Sequence, residues 1–103
     1  MNKMVWIKSD GSVELFDETN DILELQRKVG GYVEMIRANG WVMLVDEEAR
    51  IRENKPPCND KASKFLGVSG KYRILGDVVM CLLGEDGEFK GIPEDDAKQF
   101  LED

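Results

Sequence analysis

Carboxylates are the side chains that this sequence supplies in runs, and they are its first candidates for chemistry. The chain contains 21 Asp and Glu residues and no histidine, which excludes histidine general bases, Ser-His-Asp triads and zinc-histidine centres. Two acidic runs, 46–48 and 94–96, are candidates for divalent-cation binding or acid–base catalysis. Neither has the spacing of a calcium loop. We interpret the first as a solvated turn and the second as a favourably charged helix start.

The remaining candidate nucleophiles and phosphate loops lack the residues they need. No serine has a histidine to activate it, and Gly30-Gly31 closes a helical pattern rather than opening one, as a phosphate loop would. Cys58 and Cys81 lie 23 positions apart without a CxxC motif, so we expect reduced thiols in an intracellular protein. The sequence therefore predicts a protein that is not an enzyme and has no cofactor, metal or catalytic residue.

Charge is distributed unevenly along the chain. Residues 1–48 hold 10 acids and 5 bases, residues 49–73 hold 2 acids and 7 bases, and residues 74–103 hold 9 acids and 2 bases, for a net charge of −7. The acidic flanks dominate the long-range field, so we expect their exposed turns to contact a partner. The candidate contacts are Asp46, Glu47, Glu48, Glu85, Asp86 and Glu88. The alternative is a basic contact through Arg50, Arg52, Lys61 and Lys64.

These two surfaces predict different partners. An acidic surface fits the basic groove of a nucleic-acid-handling protein, whereas a basic surface fits nucleic acid itself. Direct nucleic-acid binding is the less favoured reading, because the whole molecule is anionic and the basic segment lacks an aromatic stacking platform. The chain has no apolar run long enough for a signal peptide or a membrane helix. We therefore expect a cytoplasmic protein that does not contact a membrane.

The first half of the chain predicts the elements that position these side chains. Met4–Lys8 and Val13–Phe16 are β-prone and flank a polar turn, which is typical of a hairpin. A short helix begins after Asn20 or Asp21 and ends at Gly30-Gly31. Tyr32–Ile36 and Trp41–Val45 then flank Asn39-Gly40, the strongest hairpin signal in the sequence.

The second half predicts one long strand and two further helices. Ala49–Arg52 is a candidate short strand, Asn59 caps a helix over Asp60–Phe65, and Ile74–Leu83 is apolar enough for a central strand. A last helix follows Pro93. The fold class is α+β, a single domain over 1–103, with a mainly antiparallel sheet built from hairpins and two or three short helices on one face. That face is expected to contain Val5, Ile7, Val33, Met35, Val42 and Leu44.

Four segments of the sequence carry a resemblance to a known family. They are Leu25–Glu34, which contains Val-Gly-Gly-Tyr-Val-Glu; Trp41–Asp46 with the two glutamates that follow; Asn59; and Leu75–Val79. The chain resembles a family of small domains of unknown function found in phages and mobile elements of gut bacteria, and the likeness covers nearly the whole chain. The resemblance implies a genomic habitat and transfers no catalytic residue. The Asn54–Asn59 loop, with its two prolines and Cys58, departs from the family pattern.

The implied habitat suggests an analogy for function. Small acidic proteins carried by phages include anti-CRISPR proteins, some of which inhibit type II Cas9 nucleases. By that analogy, we expect a non-enzymatic inhibitor that binds a defence nuclease or its RNA-bound complex in the bacterial host cell. Two alternatives stay open: a module that binds or sequesters a nucleotide-like small ligand, and a phage accessory protein that binds nucleic acid directly.

Overall fold

Two hairpins and a central strand build one antiparallel sheet in the computed structural model, which describes residues 1–102. The strands are β1 (Asn2–Ile7), β2 (Val13–Asp17), β3 (Val33–Ala38), β4 (Trp41–Asp46), β5 (Val78–Leu83), β6 (Phe89–Lys90) and β7 (Ile92–Pro93). The helices are α1 (Ile22–Val29), α2 (Asp60–Leu66) and α3 (Glu94–Lys98), with 3-10 turns at Gly70–Tyr72 and Gln99–Leu101. The strand order is β2-β1-β5-β4-β3, with β6 beside β5 and β7 beside β1. The α+β class, the antiparallel sheet and the central position of β5 are confirmed.

The β3–β4 hairpin turns at Asn39-Gly40, as predicted. Asn39 has φ 54° and Gly40 has φ 88°, and Ala38 pairs directly with Trp41. Two successive left-handed residues give the turn a twist that matches the strands it joins, which is why Asn-Gly is favoured here.

The ends of α1 and the start of α2 are capped by the residues that the sequence predicts. The Asp21 side chain accepts the amides of Leu23 and Glu24 at the start of α1, and Gly30, with φ 91°, ends that helix. Asn59 caps α2 by accepting the amide of Ala62. Its fully buried side chain also donates to the carbonyls of Ile7 and Gly76, each at 2.9 Å. Asn59 therefore links α2 to the end of β1 and to the segment just before β5.

The helices cover both faces of the sheet, so the prediction of helices on one face is wrong. Residues of α1 pack with Met4, Leu44 and Cys81, whereas residues of α2 and α3 pack on the opposite face with Val5 and Ile7. The six residues expected to share a face are divided: Val5 and Ile7 lie on the α2 and α3 face, Val33, Val42 and Leu44 lie on the α1 face, and Met35 is 50% exposed. The reason is that β4 and β5 are apolar at consecutive positions, a pattern that buries both faces.

The predicted short strand at Ala49–Arg52 is also wrong. The amides of Ile51 and Arg52 both donate to the carbonyl of Glu48, so this segment forms consecutive turns instead of pairing with a strand. These turns bring Arg52 back toward the end of β4, next to Asp46.

Candidate functional site

The Asp46–Glu48 turn does not present all three carboxylates to solvent. Asp46 ends β4, and its side chain is only 2% exposed. Arg52 donates to both carboxylate oxygens, from Nε at 2.8 Å and from Nη2 at 3.1 Å, and the amide of Glu48 donates at 3.0 Å. The expectation that Asp46 lies exposed is wrong, since these contacts place it inside the fold. Glu47 is exposed and Glu48 is half-buried.

Two opposing effects set the protonation of Asp46. Burial acts to raise the pKa of this carboxyl group, but the hydrogen bonds from Arg52 and Glu48 and the charge of Arg52 together hold the pKa below its usual value. In turn, the hydrogen bond to Asp46 and the charge of Asp46 raise the pKa of Arg52. Asp46 and Arg52 therefore form an ionised pair that closes the chain reversal, and we call this pair the latch.

Two of the four basic candidates, Arg50 and Arg52, make contacts within the fold. Arg50 donates from its two Nη atoms to the carbonyls of Lys71 and Arg73, at 2.6 Å for Lys71, and Arg52 belongs to the latch. These guanidinium groups tie the 46–52 turns to neighbouring segments, which reduces the donors left for a ligand. Lys61 and Lys64 lie elsewhere, both on α2.

The second acidic set, Glu85, Asp86 and Glu88, does lie in an exposed turn between β5 and β6. Lys90 approaches Asp86 at 3.6 Å and Glu88 at 3.8 Å, and the Asp86 carboxylate accepts the amide of Glu88. The pKa of Asp86 is lowered, first by that backbone hydrogen bond and also by Lys90. The turn is thus fixed by local contacts while its acids face solvent.

A second acidic segment lies beside this turn. Asn20 accepts the amide of Phe89 at 2.7 Å and donates to its carbonyl at 3.0 Å, and Glu18 accepts the amide of Gly91 at 2.7 Å. These bonds join two regions that are about seventy positions apart in the sequence. The combined surface, which we call the acidic surface, includes Glu18, Asp21, Glu85, Asp86 and Glu88. Its first two acids were not predicted as contacts.

The two predicted acidic turns do not meet. In the register of the sheet, Leu44 pairs with Val79 and Val42 with Cys81, so the end of β4 and the end of β5 point in opposite directions. The Asp46–Glu48 turn and the Glu85–Glu88 turn therefore lie at opposite ends of the sheet. A single partner surface cannot be assumed to touch both.

An open groove of about 640 Å³ lies along α2, on the face shared with α3. Residues of α2 and of the C-terminal turn line it, and we call it the aromatic groove. Its lining residues are Gly11, Trp41, Asp60, Lys61, Lys64, Phe65, Gln99, Phe100 and Glu102.

Three rings meet at the aromatic groove. The ring centroids of Trp41 and Phe65 are 6.1 Å apart and nearly parallel, and Phe100 lies 5.5 Å from Trp41 and 5.3 Å from Phe65. Phe100 is buried, whereas Trp41 and Phe65 are half-buried. A cluster of this kind, next to two lysines, can hold an apolar group close to an anion.

Sequence reasoning missed this site. Trp41, Phe65 and Phe100 are separated by 24 and 35 positions, and no local spacing connects them. The only available signal was an aromatic residue at the start of a strand and two at helical positions that also suit a core. The expectation that Lys61 and Lys64 have no aromatic platform beside them is corrected here.

The described residues offer little for other chemistry. Among residues 1–102, no group of three or more Cys, Asp or Glu side chains is placed to hold a metal ion. Both cysteines are free thiols, and burial raises the pKa of Cys81 to about 12, which keeps it protonated and inert. No helix in the described part of the chain has the length and apolar character needed to cross a membrane.

Comparison with known protein families gives one match that covers nearly the whole chain. A family model described as a domain of unknown function (DUF3846) matches residues 2–103. Searches of the curated proteins and of the solved structures give no significant match.

Proposed function

The chain belongs to the DUF3846 family of domains of unknown function, and from its surface we propose that it is a small non-enzymatic inhibitor that acts by protein–protein binding. The partner that we propose is a nucleic-acid-handling defence complex, with a type II Cas9 nuclease and its guide RNA as the first one to test. In this proposal the protein is an anti-CRISPR protein of phage origin that works in the cytoplasm of the bacterial host.

The acidic surface is the observation that carries the proposal. Two segments distant in sequence are joined by the Asn20–Phe89 bonds, so their carboxylates act as one surface. The Asp86 and Glu88 side chains are 56% and 58% exposed. Fixed, exposed carboxylates on a protein of net charge −7 resemble a nucleic-acid backbone in charge. Such a surface is attracted to basic grooves and steers encounter with them.

The basic alternative has weaker support. Arg50 and Arg52 are engaged by backbone carbonyls and by Asp46, and Lys61 donates to the carbonyl of Phe100. Even together, Lys61 and Lys64 supply far fewer charges than the phosphate contacts that a nucleic-acid-binding protein makes. We therefore place the protein contact on the acidic surface and keep direct nucleic-acid binding as an outcome of the test.

A charge-reversal comparison tests the proposal. The variant Glu85→Lys/Glu88→Lys changes the acidic surface, and Glu47→Lys/Glu48→Lys makes the same change in net charge at the opposite end of the sheet. Neither pair includes Asp46, but Glu48 is half-buried and its charge acts on Arg52, so melting curves must first show that each variant keeps the fold. We expect the first variant to bind the Cas9–guide RNA complex about tenfold more weakly at low salt and the control to bind nearly as well as the wild type. The loss should shrink as salt is added.

Other outcomes decide against the proposal. Equal affinity of both variants and the wild type would remove the electrostatic contact, and no binding of the wild type would remove this partner. If Lys61→Glu/Lys64→Glu abolishes binding instead, the contact is basic. A salt-sensitive gel shift with the protein alone would favour direct nucleic-acid binding, and thermal stabilisation by a nucleotide would favour the ligand-binding alternative.

A further inference from the structure

We propose that the outer edge of β3 binds an extended basic segment of a partner protein as an added antiparallel strand, with a lysine or arginine of that segment beside Glu34. β3 is the last strand in the order of the sheet, and its neighbour is β4. None of its residues belongs to the acidic surface. The inference therefore does not depend on the proposed inhibition of a nuclease, and the two can fail separately.

The main chain of β3 offers hydrogen-bonding groups along its outer edge. The amide of Glu47 donates to the carbonyl of Tyr32, just before β3, and in antiparallel pairing every second residue repeats this pattern. The even-numbered residues of β3 therefore bond to β4, whereas the amides and carbonyls of Val33, Met35 and Arg37 point to the outer edge. In the described part of the chain, no hydrogen bond reaches these groups.

The strand also lacks the interruptions that prevent pairing at many sheet edges. The six residues of β3 include no proline or glycine, and each of them pairs with one residue of β4, so there is no bulge. The middle of the strand is accessible, since Met35 is 50% exposed. A continuous, exposed edge of this kind can accept a further strand.

Two carboxylates at this edge select a basic segment. Glu34 and Glu47 line a pocket of about 330 Å³ on the α2 and α3 face, and neither makes an ion pair with another described residue. The other charged side chains of the lining are engaged, because Asp46 binds Arg52 and Arg50 donates to two carbonyls. The charge left without a partner at this pocket is therefore negative.

The pocket also fits the stem of a basic side chain. Its apolar lining includes Ile36, Val45, Leu66 and Val68. Lysine and arginine pack their methylene groups along apolar surface and keep the charge at the rim. In an added antiparallel strand, the residue opposite Glu34 has its side chain on the same face. A lysine at that position can cover the apolar lining while its ammonium group meets the carboxylate.

A second copy of the chain fits this edge less well. Glu34 and Arg37 are three positions apart, so their side chains lie on opposite faces of β3. Two copies of β3 related by a two-fold axis would pair residues of the same face, so no arginine would meet Glu34. Each copy also carries a net charge of −7, which opposes association.

Three peptides test the inference: acetyl-Thr-Lys-Val-Lys-Val-Thr-amide, the same peptide with both valines N-methylated, and acetyl-Thr-Glu-Val-Glu-Val-Thr-amide. In the proposed pairing, the lysines lie on the Glu34 face and the valine amides donate to β3. Binding and hydrogen exchange are followed by NMR of the ¹⁵N-labelled protein. At saturation we expect the first peptide to slow exchange of the Val33, Met35 and Arg37 amides, and the other two to bind at least about threefold more weakly.

Two results would overturn strand addition by a basic segment. The first is unchanged exchange of these three amides with the basic peptide, or equal binding of its N-methylated form. The second is slowed exchange in the protein alone at high concentration, together with a dimer in sedimentation, which would assign the edge to a second copy.

Variants locate the charge contact. Glu34→Lys should weaken binding of the basic peptide by at least about threefold and make the acidic peptide the tighter ligand. Loss of the fold cannot produce that reversal. Glu53→Lys is the matched control, since Glu53 is also an exposed glutamate but does not line the pocket. Equal effects of the two variants would mean that net charge alone acts on the peptides and would overturn the assignment of Glu34.

Discussion

The two acidic turns, Asp46–Glu48 and Glu85–Glu88, carry the same chemistry in the sequence and occupy opposite environments in the fold. The Asp46 side chain is 2% exposed, whereas those of Asp86 and Glu88 are 56% and 58% exposed. Both turns contain a basic partner nearby in sequence, Arg52 for the first and Lys90 for the second. In the first turn the carboxylate is buried under a partly exposed arginine, and in the second both members of the pair lie at the surface.

The difference comes from what surrounds each turn. Asp46 ends an interior strand, and the turns at residues 47–52 bring the Arg52 guanidinium over it. The Glu85–Glu88 turn joins β5 to the two-residue strand β6, and its acids are solvated. An acidic run therefore predicts a solvated turn only when no later segment folds back over it. An arginine that binds both oxygens of a carboxylate can make the burial of one acid of such a run favourable.

Removal of the Asp46 carboxylate is expected to have the largest effect. Asp46→Ala leaves Arg52 without its partner and deprives the Glu48 amide of an acceptor, so we expect the free energy of unfolding to fall by about 2 kcal/mol. For a domain of this size that corresponds to a decrease in melting temperature of roughly 10 °C. Urea unfolding and a thermal melt measure the two quantities.

Asp86→Ala is the matched control in the other turn. It also removes a carboxylate that accepts an amide and faces a cation, but the group is exposed, so the change in melting temperature should be much smaller. Equal destabilisation by the two variants would show that the structural difference between the turns has no energetic consequence.

Gly31 offers a sharper test of the latch. A Cβ atom at this position would meet the Arg52 Nη2 atom first and would lie 2.5 Å from the Asp46 Oδ1 and 3.0 Å from its Cγ, so Gly31→Ala must displace the side chains of the latch. We expect a loss of about 1–2 kcal/mol in the wild type and a smaller loss in the Asp46→Ala background, where the Asp46 atoms are absent and no carboxylate holds Arg52 against residue 31. In the other turn, Gly87→Ala meets nothing within 4 Å and is strained only through its φ of +83°. Its effect should be the same in both backgrounds, and an equal background dependence of the two alanine variants would contradict the steric explanation.

Local rules predicted most elements of the fold. The turn at Asn39-Gly40, the cap at Asn59 and the helix end at Gly30 each depend on a few adjacent residues, which a single sequence contains. The distribution of helices over two faces was not predictable in the same way. It depends on which face of the sheet each connection reaches, and the consecutive apolar residues of β4 and β5 fit either face.

The candidate sites depend more strongly on tertiary structure. The exposure of Glu85, Asp86 and Glu88 follows from turn residues and was predicted, but Glu18 and Asp21 join them only through contacts of Asn20 and Glu18 with residues 88–91. The aromatic groove requires Trp41 to meet rings from α2 and from the C-terminal turn. Contacts of such long sequence separation leave no periodic pattern for sequence reasoning to use.

The smallest expected effect is the dependence of the latch on pH. The pKa of Asp46 is lower in the folded protein than its ordinary value, so its charge stabilises the fold at pH values above the unfolded pKa of about 3.9 and stops doing so as the pH falls through the folded pKa. The difference in unfolding free energy between wild type and Asp46→Ala should therefore be constant from pH 7 to about 5 and decrease below about pH 4. The exposed acids whose pKa values are also lowered, such as Asp10 and Asp17, are present in both proteins and cancel in this difference. Urea titrations at pH 7, 5, 4 and 3 measure it. A difference that stays constant down to pH 3 would mean that Asp46 stabilises the turn by packing and not through the charge that binds Arg52.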